Sequence, residues 1–183
     1  MRRLPSWLAG AAGALAFLAL YFGAWQPVRV WLAQSVASPA LASVHTDRSG
    51  RFTLDAGRHP RSVYVLDAND PAGEARAVFH APAGRAFLIA ALALIALFPF
   101  RPYWLYLWGL HLALGALSFV ALLAGIGWTD AGLVLHTFLD RYVTLAVSMA
   151  APLVAWPGFR RRIGRGGEGR GGEGRGGEGR GEQ

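Results

Sequence analysis

Apolar residues in this chain gather into four long blocks, at residues 6–25, 83–100, 103–128 and 131–156. A helix needs about 18–20 apolar residues to cover roughly 30 Å of hydrocarbon. Each block approaches or exceeds that length, although Arg85 interrupts the start of the second. Trp7, Trp25, Trp104, Trp128 and Trp156 fall near block ends. An aromatic belt at the membrane interfaces places its rings there.

The stretch between the first two blocks is patterned differently. Over residues 27–41, Val28, Trp31, Leu32, Val36 and Ala40 share one helical face. That spacing predicts an interfacial helix, ended or bent by Pro39. Three short runs follow, at 51–55, 62–66 and 76–80. Phe52 and Leu54 alternate with polar neighbours, and Val63-Tyr64-Val65 is β-branched and aromatic. Gly57 and Pro60 mark one turn; Asn69, Pro71 and Gly73 mark the next. The pattern predicts a small antiparallel meander over the outer mouth of a helical bundle, since three short strands need such support.

The resulting fold class is an all-α integral membrane protein. It has a four-transmembrane-helix bundle, a small extracytoplasmic β-meander and a disordered tail. Residues 1–25 form the cytoplasmic N-terminus and first span. Residues 26–82 form the outer loop, 83–157 three further spans, and 158–183 a basic, Gly-rich cytoplasmic tail. In that tail RGGEG recurs through Arg165, Arg170 and Arg175, with Glu168, Glu173 and Glu178 balancing the charge. Gly-rich sequence without apolar residues buries no core. With no aromatics to stack on bases, it is expected to be a solvated tether with no nucleic-acid partner.

Composition agrees with a membrane setting: 54% of residues are hydrophobic and 16% charged. All 18 basic residues are Arg, and the Arg and Ala bias points to a GC-rich bacterial genome. There is no Cys, which excludes disulfides, thiolate nucleophiles and Cys-ligated metals. Arg placement sets orientation. Arg2, Arg3, Arg101, Arg160, Arg161 and Arg162 border the blocks on one side, while the link between the third and fourth carries Asp130 and no base. The positive-inside rule then puts both termini in the cytoplasm of a multi-pass protein of the cytoplasmic membrane. The first block reads as an anchor rather than a cleaved signal, because its core is long and the nearest small-residue site, at 40–42, lies far downstream.

Candidate chemistry concentrates in the fourth block. Asp140 and Arg141 stand in apolar surroundings, and charges at mid-bilayer cost roughly 2.5–3.5 kcal/mol each on insertion scales. His136, Asp140, Thr144 and Ser148 recur every four residues as one polar stripe. Adjacent helical residues diverge by about 100°, so Asp140 and Arg141 each call for another partner. His111 of the third block is one candidate. It lies roughly 12 Å from the inner end of its span, and Asp140 roughly 14 Å from the outer end of its own. The six residues His111, His136, Asp140, Arg141, Thr144 and Ser148 form an intramembrane polar cluster. It is either a structural clamp between helices or a site that handles a proton or substrate. His45, His59 and His80 match no compact metal spacing, so neither a metal nor a cofactor is expected. No phosphate loop, GxSxG or HExxH is present, and no catalytic residue is assigned.

Over roughly residues 6–157 the layout resembles the short exosortase/archaeosortase group of membrane sorting proteins. The likeness lies in the anchor, the amphipathic stretch and the outer β-like segment. It continues in the small-residue turn at His80-Ala-Pro-Ala-Gly84, in Phe98-Pro99-Phe100, and in a late His136. That family's transpeptidase-like chemistry is associated with Cys, then Arg, then His. Here residues 81–84 stand where the Cys would be, Arg101 is on the wrong side, and only His136 corresponds. The resemblance therefore implies a degenerate or accessory member. The expectation is a non-enzymatic accessory or scaffold subunit of an envelope or surface-sorting system, with the bilayer and other membrane proteins or further copies of itself as partners. The alternative is a small transporter or proton-coupled subunit built on Asp140, Arg141 and His111.

Overall fold

A computed structural model describes residues 6–70 and 72–156; the predicted tail at 158–183 lies outside the described residues. The first helix, α1, runs unbroken from Ser6 to Ala42. Its α-helical parts, Ser6–Leu20, Gln26–Trp31 and Ser38–Ala42, alternate with π-helical turns at Tyr21–Trp25 and Leu32–Ala37. The separate interfacial helix expected at 27–41 is thus the C-terminal half of α1, and Pro39 does not end it. Each π turn comes just before a proline, Pro27 or Pro39. A proline ring clashes with the carbonyl four residues back and has no N–H to donate to it. Widening the turn to i→i+5 bonding relieves the clash, so the helix continues.

The face that α1 buries also differs from expectation. Arg29, Ala33, Ala37 and Leu41 are buried, whereas Val28, Trp31 and Val36 are exposed. Small Ala33 and Ala37 let the sheet approach closely, with Val63 and Val65 packed into the same cluster. The large apolar side chains point outward.

After a turn at Ser49–Arg51 come β1 (Phe52–Asp55), β2 (Ser62–Asp67) and β3 (Ala75–His80). They pair antiparallel in chain order, with Leu54 opposite Val65 and Ser62 opposite His80, and a bulge at Val65/Leu66. The meander read from the sequence is present within a residue at each end. Its inner face packs on Leu122 and Ile126.

The second helix, α2, is only Arg85–Leu97. At 1.5 Å per residue it is about 20 Å long, short of the roughly 30 Å of a hydrocarbon core. Phe98 leaves helical geometry, and Pro99 follows it. The third helix, α3, is Tyr103–Gly127. The fourth, α4, spans Asp130–Ala155 with a π turn at Leu139–Val143, and Thr129 caps its start by accepting from the Ala131 N–H. Three helices, α1, α3 and α4, are long and apolar enough to cross a membrane, with mean hydropathies of 1.7, 2.0 and 1.3. Trp7, Trp128 and Trp156 are exposed near helix ends, but Trp104 stacks edge-on against Phe17, and Trp25 donates to the Ala83 carbonyl.

Two apolar layers hold these elements together. One gathers Phe17, Tyr21, Phe87, Leu94 and Leu107 between α1, α2 and α3. The other joins Ala37, Leu41, Val63, Phe79 and Leu122 under the sheet. The turn at residues 81–84 lies where the layers meet. Ala83 adopts a left-handed φ of 53° there, a conformation costly for a residue with a Cβ. Four side-chain donors of α1 hold this turn: Tyr21 and Trp25 donate to the Ala83 carbonyl, while Arg29 donates twice to that of Ala81.

Candidate functional site

An open cavity of about 820 Å³ lies beside that turn. Its floor includes His111, Thr144 and Asp140; its outer rim includes Arg29, Arg61, His59, Ser62 and His80. The sheet, α1, α2, α3 and α4 all contribute to the wall.

The polar stripe of α4 faces inward because of its π turn. In a regular α-helix the step from His136 to Ser148 accumulates roughly 120° of drift. One extra residue in the turn cuts this to roughly 20°. His136, Asp140, Thr144 and Ser148 therefore share a face, and Thr144 Oγ1 donates five residues back to the Leu139 carbonyl at 2.9 Å. Ser148 Oγ donates to the Thr144 carbonyl at 2.8 Å and lies 3.0 Å from His111 Nε2. Its proton is already committed, so Ser148 accepts from His111 Nε2–H. His111 thus ties α3 to α4 through Ser148 and makes no hydrogen bond to Asp140.

His136 is a second clamp. Its Nδ1 is 2.8 Å from Ser118 Oγ and its Nε2 3.2 Å from the Val78 carbonyl. Nδ1 is also 3.0 Å from the Ser118 carbonyl oxygen, so His136 joins α4 to α3 and to β3. Arg141 is exposed, about 100° around α4 from Asp140. No ion pair joins it to Asp140 among the described residues. The six predicted residues thus separate into two buried clamps, a carboxylate and a threonine on the cavity wall, and an outward cation.

The sequence reading left out the residues that complete the cavity. Ser62 Oγ lies 2.8 Å from His80 Nδ1, as cross-strand neighbours. Part of His80 is open to the cavity, but surrounding protein still disfavours its charge. Burial lowers its pKa from 6.5; the Asp140 carboxylate opposes this, and Arg29 and His136 reinforce it. Asp140 is near enough to act on His80 electrostatically but makes no hydrogen bond to it. Ser62 is buried, and the Ser–His contact uses Nδ1 with no carboxylate bonded to the far ring nitrogen. That geometry presents a titratable imidazole and a carboxylate to one space. It does not build an activated nucleophile of the Ser–His–Asp type.

Arg29 is the other omission. It is 8% exposed and donates through Nε and Nη2 to the Ala81 carbonyl at 3.1 and 2.8 Å. Its signal was the four-residue spacing Tyr21, Trp25, Arg29, Ala33, which the π turns hold on one face. Among the described residues no group of three or more His, Cys, Asp or Glu is arranged to hold a metal. Compared with known proteins, the chain matches no family model, no curated protein and no solved structure.

Proposed function

We propose that this chain is a multi-pass protein of the cytoplasmic membrane, with four spans and both termini cytoplasmic, that handles a proton or small polar substrate at Asp140. The observation that carries this reading is the cavity, which brings a carboxylate on a spanning helix into one open space with His80, Thr144 and His111. Ionisable groups at membrane depth are costly unless they serve a polar path or a partner. In this reading α2 and its flanking turns complete a short fourth span, with the cavity above it. A pH titration followed by difference infrared spectroscopy tests the idea. A carboxyl band that titrates reversibly and vanishes in Asp140→Asn is expected. A spectrum identical in the two proteins would sink the proton-handling role.

One separate observation supports the accessory or scaffold reading, including a part in envelope or surface sorting. Arg141 is an exposed cation within a helix long enough to span. A partner protein offering a carboxylate would satisfy it. Crosslinking from Phe138→Cys beside an intact Arg141 should then capture a neighbour, and Ile89→Cys, exposed on α2, is the comparison. Equal capture from both sites would count against a specific partner.

A further inference from the structure

Arginines outside the helical bundle are mostly neutralised. Arg48, Arg58 and Arg76 pair with Asp130, Asp55 and Asp67. Arg29 and Arg61 are different. Arg29 gives Nε and Nη2 to the Ala81 carbonyl, and its Nη1 and Arg61 Nη1 share one neutral acceptor, Gln26 Oε1, at 3.3 and 2.6 Å. Asp140, the one carboxylate on the cavity wall among the described residues, pairs with neither. Two guanidinium groups thus converge without an anion, one of them more than nine-tenths buried. Burying a charge uncompensated is unfavourable, and a guanidinium fork fits an oxyanion best. Arg85 lines the same cavity.

The remaining walls narrow down the anion. Phe22 and Ile89 line the cavity and are 59% and 70% exposed on the flanks of α1 and α2. The cavity therefore opens sideways between apolar side chains as well as toward the sheet. Arg29 lies roughly 35 Å along α1 from Ser6. That is beyond roughly 30 Å of hydrocarbon and within the roughly 40–45 Å that includes headgroups. Cations sit at phosphate depth, with apolar walls beneath them.

We infer that the outer end of this cavity binds the phosphate of an anionic phospholipid. Arg61 holds the phosphate oxygens together with the N–H groups of Arg29 that Ala81 does not take, and the acyl chains leave past Phe22 and Ile89. This assignment rests on the open cavity of the proposed function but not on the chemistry of Asp140.

The test uses the purified full chain in detergent, with lipid binding followed by native mass spectrometry and thermal shift. Phosphatidylglycerol should bind saturably, and phosphatidylcholine, whose phosphate charge is balanced, about tenfold more weakly. Inorganic phosphate at the same concentration should not displace phosphatidylglycerol. Arg61→Gln should weaken phosphatidylglycerol about tenfold, and Arg76→Gln should leave it unchanged. Arg29→Gln should act like Arg61→Gln; if it does not fold, the half-buried Arg61 decides alone. Wild-type binding in Arg61→Gln overturns the assignment. Inorganic phosphate binding as tightly as phosphatidylglycerol overturns the lipid source and leaves a soluble anion site. Labelling of Thr144→Cys by a water-soluble thiol reagent reports cavity opening separately. A labelled thiol with no lipid preference would remove the lipid assignment and leave the proposed function standing.

Discussion

His111 shows how a polar group is accommodated among apolar helices. Its Nε2–H is donated to Ser148, whose own proton goes to the Thr144 carbonyl. Removing one partner strands the other in a buried setting, at about 1–3 kcal/mol, whereas removing both can be close to neutral. Ser148→Ala should therefore lower thermal stability, His111→Leu with Ser148→Ala should recover part of the loss, and His111 should not couple to Asp140 in the same way. A double-mutant cycle on detergent-solubilised protein reads this directly. Additive effects for His111 and Ser148 would contradict the clamp. In the sheet, His80 adds a pH dependence of its own. Its folded pKa lies below 6.5 because burial disfavours the imidazolium. The unfolded chain then binds the proton more readily, so this contribution is complete above 6.5 and is lost as pH falls from there through the folded value. His80→Gln should flatten the fall in thermal midpoint over that window. An unchanged pH profile would mean that His80 does not titrate as its surroundings dictate.

At the scale of elements, the recurring device is the π turn. Stripes spaced by four residues run along α1 through Tyr21, Arg29, Ala33, Ala37 and Leu41, and along α4 through His136, Asp140, Thr144 and Ser148. No regular α-helix keeps such a stripe on one face for three turns, and each helix inserts π turns that do. This is where the sequence was half legible. The α4 stripe stands out because its residues are polar. The α1 stripe was hidden by small alanines beside a more conspicuous apolar set, Val28, Trp31 and Val36, which faces outward. The strands and their turns were readable from alternation and from Gly, Pro and Asn. The Ser62–His80 contact was not, because it depends on register across two strands. The close approach of α3 and α4 depends on glycine. A Cβ on Gly132 would lie 2.6 Å from the Ala121 carbonyl oxygen, and one on Gly125 would lie 2.7 Å from the Leu133 nitrogen. Backbone cannot yield as a side-chain tip can, so Gly132→Ala should destabilise by about 1–3 kcal/mol. Gly109→Ala, with open space at its Cβ, should be neutral or stabilising in thermal melts. Equal behaviour of the two would argue against this helix contact.

For the whole molecule, the sheet and the adjoining ends of α1, α3 and α4 form one packed layer, and the other ends of the helices with α2 form another. Arg48 fastens the segment after α1 to the turn between α3 and α4, donating to the Gly125 carbonyl and pairing with Asp130. If the sheet is outside the cell, as the Arg borders imply, reporter fusions after Arg3 and Arg162 should give cytoplasmic signals and a fusion within 68–73 an external one. An external signal after Arg162 would remove the four-span topology. The central claim is that water reaches Asp140 through the cavity while the exposed flank of the same helix meets lipid. The chain has no Cys, so single thiols can be placed on α4 without background. Thr144→Cys puts one on the cavity wall, and Leu145→Cys puts one on the exposed face at the same depth. Intact cells would be treated with a charged, membrane-impermeant thiol reagent. Thr144→Cys should be labelled from outside and Leu145→Cys should resist, because a thiol in hydrocarbon neither ionises readily nor meets the reagent. An unreactive Thr144→Cys, or equal labelling of both, would contradict the account.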